Sequence, residues 1–138
     1  MEEPDQAGAT GPADPDPPAQ RSPAPTETQV EDEIRRDIVA IHRDSYGRAA
    51  DSAKAHVLGD IVVVVLEGLE LLPNEEFMIR NGKSDAVVTL RRNFQQAIEP
   101  TFRAAVERAT GRNVIGFASH VQLDEDPFAV EIFRLGPA

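Results

Sequence analysis

The sequence contains no cysteine and no tryptophan. Without thiols there is no disulfide, no thiolate nucleophile and no Cys-ligated zinc or iron–sulfur centre. Long apolar runs are missing as well. The longest is Ile61–Leu66, six residues, where a membrane-spanning helix needs about 20. The start, Met1-Glu2-Glu3-Pro4-Asp5, has neither the positive residue nor the apolar stretch of a secretory signal. Together these absences predict a soluble, cytoplasmic protein. Excess positive charge is lacking too: the formal net charge is −10. A nucleic-acid binder ordinarily presents a basic face that displaces counterions from phosphate, so no nucleic-acid partner is expected. No phosphate-loop or dinucleotide-loop pattern occurs, and Asp124-Glu125-Asp126 lacks the Gly and distal Glu of a calcium loop. His42, His56 and His120 each stand apart from any second ligand at metal spacing; His56 and His120 belong to separate hairpins and would have to meet across a sheet. The expectation is therefore no metal, no cofactor and no catalytic residue, in a chain that is not an enzyme.

What the chain does contain divides sharply. Residues 1–33 hold nine acids and one base, Arg21, whereas residues 34–138 hold fifteen acids and thirteen bases. The acidity belongs to the beginning of the chain. Residues 1–27 also carry seven of the eleven prolines and no Ile, Leu, Val or aromatic residue. Such a segment cannot bury enough apolar surface to offset its ordering entropy, so it is expected to be a disordered acidic tail. One folded domain is expected over residues 28–138.

Within that domain the pattern alternates between periods. Val30, Ile34, Ile38 and Ile41 recur at helical spacing behind Thr28, a candidate N-cap, and the helix should end at Tyr46-Gly47. Two β-rich runs, 52–58 and Ile61–Leu66, flank Gly59-Asp60, which suits a two-residue hairpin turn with Gly at the position needing positive φ. The second run is apolar on both faces, so one face should meet helices and the other should be covered by another part of this chain or by a second copy. Pro73 opens a short helix that should close at Asn81-Gly82. Its first turn holds Glu75 and Glu76, read as helix-capping acids. A long helix follows from Ser84, with Val87, Leu90, Phe94, Ile98, Phe102, Ala105, Val106 and Ala109 predicted on its buried side and a kink or break at Pro100. Strands near 113–123 and 128–135 finish the chain. The order α-β-β-α-α-β-β predicts an α+β fold in two layers, an antiparallel sheet of two hairpins with helices packed on one side.

Ordered landmarks run through this region: Gly47, Ile61–Gly68, Leu71-Leu72-Pro73-Asn74-Glu75, Arg91-Arg92, Pro100, Thr110-Gly111-Arg112-Asn113-Val114 and Val130-Glu131-Ile132-Phe133-Arg134-Leu135. In order and spacing the stretch from about Val30 to Leu135 resembles the MpsC-like family, named for a bacterial Na+-translocating, membrane-potential-generating system. It departs from the family pattern at Leu72, where a Thr is usual, and at Ala49-Ala50, where Gly-Pro is common. The resemblance implies a non-enzymatic accessory or interaction protein linked to a membrane ion or inorganic-carbon uptake system, with an integral membrane transporter subunit as partner. The doubly apolar Ile61–Leu66 run and the amphipathic first helix separately predict self-association as a dimer. The candidate interaction residues are Arg91 and Arg92, as donors to an anion or partner, with Gly47 and Arg48 in the first connection. Twelve Arg against two Lys motivate the alternative, a nucleic-acid-binding or regulatory module using Arg35, Arg36, Arg91, Arg92, Arg103 and Arg108.

Overall fold

The computed structural model describes residues 23–47 and 50–138; the expected tail lies outside the described residues as far as residue 22, as does Arg48. Helix α1 spans Glu27–Tyr46 and its N-cap is Thr26, two residues before the Thr28 expected from the sequence. The earlier threonine wins because Gln29 completes a reciprocal box. Gln29 N–H donates to Thr26 Oγ1 (3.1 Å), and Thr26 N–H donates to Gln29 Oε1 (2.8 Å). A cap at Thr28 would have called on Glu31, whose carboxylate instead accepts the Val57 N–H at 2.8 Å.

Val57 belongs to β1 (Ala50–Leu58), which turns at Gly59-Asp60 into β2 (Ile61–Leu69). Gly59 has φ +62° and Asp60 no positive φ, so only the first central residue is left-handed, as the glycine predicts. Helices α2 (Pro73–Arg80) and α3 (Ser84–Thr110) follow, then β3 (Val114–Gln122) and β4 (Phe128–Leu135). The helix α3 runs unbroken through Pro100, so the predicted break is absent. Pro100 is exposed, which leaves the carbonyl freed by its missing N–H facing water.

All strand pairs are antiparallel and the sheet order is β1-β2-β4-β3. The two hairpins thus join through their second strands, β2 against β4. One face buries Val62, Val64 and Leu66 of β2 and Ala129, Phe133 and Leu135 of β4 beneath Ile34 and Ile38 of α1 and Ile98, Phe102 and Val106 of α3. The two-layer α+β architecture is the one the sequence predicts. The other face carries no helix among the described residues. Both outer strands meet a helix carboxylate at one end: Glu31 on β1, and Glu107 Oε2, which accepts the Val114 N–H of β3 at 2.8 Å.

Gly68 marks a close approach inside β2. It has φ +62°, and a Cβ there would lie 2.6 Å from Asp51 Cβ, at the point where the β1–β2 register passes from Ser52↔Glu67 to Ala50↔Leu69. Both the left-handed backbone and the contact exclude a side chain. Gly68→Ala is expected to lower unfolding free energy by about 2–3 kcal/mol, read from the denaturant midpoint. A loss below about 0.5 kcal/mol would mean that β1 yields without resistance.

Candidate interaction site

Three helices converge on one buried ion pair. Glu75 occupies the third position of α2 and Arg91 the second turn of α3; each is only 2% exposed. The pairing is bidentate, with Arg91 NH2 donating to Glu75 Oε1 at 2.7 Å and Arg91 Nε to Oε2 at 3.0 Å. A fork-to-carboxylate match of this kind is what arginine provides and lysine does not. Arg91 NH2 also donates to the Glu70 carbonyl at 3.1 Å, which ties the end of β2 into the same knot. Glu75 Oε1 accepts the Leu72 N–H at 2.8 Å. Leucine at the N-cap has no side-chain acceptor, so the acid supplies the cap contact from within the helix.

The last residue of α1 closes the site. Tyr46 donates its hydroxyl to Glu75 Oε2, and its ring centroid lies 4.3 Å from Arg91 Cζ, a cation–π contact. Phe94 packs edge-on against Tyr46 at 4.6 Å, and His42 stacks on Tyr46 at 5.8 Å. The electrostatics follow from this geometry. Burial pushes the Glu75 carboxyl up, but hydrogen bonds from Arg91, Tyr46 and the Leu72 N–H outweigh it and hold the group below its ordinary value. Burial and the bond to Glu75 push the Tyr46 phenol up to about 12.

The structure places the sequence candidates unequally. Arg91 is enclosed, and its anion is Glu75 of the same chain. Arg92 is exposed and borders a cleft of about 200 Å3 with Gln95, Glu99, Phe117 and Ser119. Gly47 caps α1 with φ +86°, its N–H donating to the Arg43 carbonyl at 2.9 Å. The buried stripe of α3 also corrects the prediction. Leu90 is 53% exposed, while Arg91 and Gln95 are buried between Val87 and Ile98. The true stripe runs 87-91-95-98-102, an unbroken helical spacing that admits one cation and one amide. That spacing was the available signal, and the rule that charges face water hid it. Leu90 instead joins Phe77, Met78, Val87 and Ala86 around an apolar groove of about 290 Å3, with Phe77 58% exposed.

A second buried acid went unnoticed in the sequence. Glu131 lies on the helix-covered face of β4 and is fully buried. With its amide turned to donate, Gln95 lies 3.1 and 3.3 Å from the two Glu131 oxygens. Ser119 sits directly opposite in the β3–β4 pairing, its hydroxyl buried without a well-formed hydrogen bond. Burial pushes the Glu131 carboxyl up to about 7, and the Ser119 hydroxyl offsets only part of that. The two strand histidines do not meet: His56 is on β1 and His120 on β3, the outer strands, with two strands between them. Among the described residues no group of three or more His, Asp or Glu side chains is placed to hold a metal ion.

The model of the MpsC family, the Na+-translocating membrane potential-generating system, matches residues 26–136. The chain belongs to the MpsC family. Neither a curated protein nor a solved structure matches it. In this MpsC protein the match begins at the Thr26 cap and takes in every helix and strand described. Two landmarks within the matched stretch, Glu75 and Arg91, form the internal ion pair, and Glu75 also accepts the Leu72 N–H. No described helix of this MpsC protein is long and apolar enough to cross a membrane.

Proposed function

We infer that the chain is a non-enzymatic accessory domain that works from the cytoplasmic side, docking on an integral subunit of a membrane ion-translocating system. The observation that carries this reading is the fate of the family's charged motif. Glu75 and Arg91 satisfy each other below the surface, and what they brace above themselves is the apolar Phe77–Leu90 groove. A reaction centre would spend such a pair on a substrate; a docking surface needs it as a rigid support. Membership of a family named for a membrane system supports an apolar segment of a membrane subunit as the occupant. The helical arginines add support against nucleic acid, since Arg35, Arg91, Arg103 and Arg108 each pair with a carboxylate, which removes charge that phosphates would need.

Purification of the tagged full-length chain from gently solubilised native membranes tests this. The expected result is a stoichiometric integral transporter subunit, lost at least tenfold with Phe77→Ser or Leu90→Ser. Both positions are more than half exposed, so each variant should keep the fold. Recovery of soluble proteins or nucleic acid alone, or unchanged recovery of the subunit with both variants, would overturn the reading.

A further inference from the structure

The helix-free face of the sheet is organised in rows. The pairing places Leu58, Ile61, Arg134 and Gly116 side by side, then His56, Val63, Ile132 and Ala118, then Lys54, Val65, Val130 and His120, then Ser52, Glu67, Phe128 and Gln122. Its two central strands therefore present an apolar block, Ile61, Val63, Val65, Phe128, Val130 and Ile132. The outer strands present polar or small side chains except at Leu58, which is 61% exposed and extends the apolar block at the Ile61 end. A central apolar block with a polar rim is the anatomy of a protein interface. The core is built on the other face, by Val62, Val64 and Leu66 of β2 and Ala129, Phe133 and Leu135 of β4.

The face is also polarised along the strands. Arg134 stands at one end; Glu67, paired with Lys54 at 3.6 Å, stands at the other beside a concavity of about 500 Å3 that Val65, Phe128 and Asp126 also line, and Asp126 leaves that end net acidic. Four strands about 4.8 Å apart and eight residues long, at about 3.3 Å each, give a face of roughly 500 Å2 per copy. Two such faces come to about 1,000 Å2, the lower bound for a specific interface.

We propose that this face is a homodimer interface, two copies packing sheet on sheet about a two-fold axis perpendicular to the strands. That axis lays the Arg134 end of one copy over the Glu67 end of the other, twice by symmetry. A two-fold axis along the strands would instead set the two Arg134 side chains against each other. Opposite charge at opposite ends thus selects a second copy as occupant and selects its orientation. The small area makes the dimer reversible. The dimer does not depend on the membrane-subunit reading, since the Phe77–Leu90 groove is on the helical layer.

Sedimentation velocity of the full-length chain from about 1 to 200 µM tests it, a range that brackets a weak interface. The expected result is a concentration-dependent dimer. Val63→Lys weakens it at least tenfold with an unchanged circular dichroism spectrum and melting temperature; Ile132→Lys serves if that variant does not fold. Arg134→Glu weakens it severalfold, and adding Glu67→Arg restores it. A monomer throughout the range would overturn the dimer. Insensitivity to both lysine variants would overturn the face, and failure of the double reversal to restore association would overturn the orientation.

Discussion

Arg91→Ala lowers the unfolding free energy by about 3–5 kcal/mol, the cost of leaving a buried carboxylate without its cation. For a domain of about 110 residues, with a typical total stability of about 5–15 kcal/mol, this is at least about a fifth of the whole. The melting temperature should fall by at least about 12 °C. The reason is geometric. Glu75 would keep the Tyr46 hydroxyl and the Leu72 N–H but lose both charged donors while remaining sealed from water. Removing both charges together should be far milder: Glu75→Leu with Arg91→Leu is expected to recover most of the loss, because two matched charges also leave behind their desolvation cost. A double-mutant cycle by urea denaturation measures this directly. A coupling energy under about 1 kcal/mol would show that the pair is not a unit. The same site has an acid limb. Since Glu75 is held below its ordinary value of 4.5, its contribution is full at neutral pH and is lost as the pH falls below that value.

Glu131 works in the opposite direction, which makes it separable. Its carboxyl is raised from 4.5 to about 7 in the folded chain, so between those values the folded state binds more protons than the unfolded one. Stability therefore falls as pH rises from about 4.5 to 7 and levels off above, by about 3 kcal/mol in all. Glu131→Gln removes the proton without removing the shape. At pH 8 the variant should be more stable than the parent by about 2–3 kcal/mol. At pH 4 the two should nearly coincide. Comparing the two pH profiles isolates the Glu131 contribution, because every other group is common to parent and variant. A parent and variant that differ equally at pH 4 and pH 8 would mean that Glu131 does not change its charge on folding in this range.

Much of the fold was legible because its local signals agree. Gly59-Asp60 between two β-rich runs, Pro73 and Gly82 at the ends of a short helix, and alternation in the last two strands each demand one conformation, and the structure has it. What was hidden depends on distant residues. The chain pattern gives two hairpins but not which edges join them, so the separation of His56 from His120 could not be read. Arg91 and Leu90 are adjacent, and the apolar-inward rule chose Leu90. It could not see that a carboxylate sixteen residues upstream makes the arginine the better buried group. Glu131 was obscured in the same way, by an apolar strand around it and by a glutamine from α3 that only the folded chain brings near.

The carboxylates of Glu31 and Glu107 have a consequence for how this sheet meets other backbones. An outer strand with open N–H groups is a template for strand addition, the first step of edge-to-edge aggregation. Here Val57 on β1 and Val114 on β3 have their N–H groups already taken by an ionisable side chain anchored on a helix. An incoming chain would have to displace the carboxylate and bring its own carbonyl into a field of the same sign. Growth of the sheet in its own plane is resisted at both borders, which leaves the flat of the sheet, the face of the proposed dimer, as the open direction.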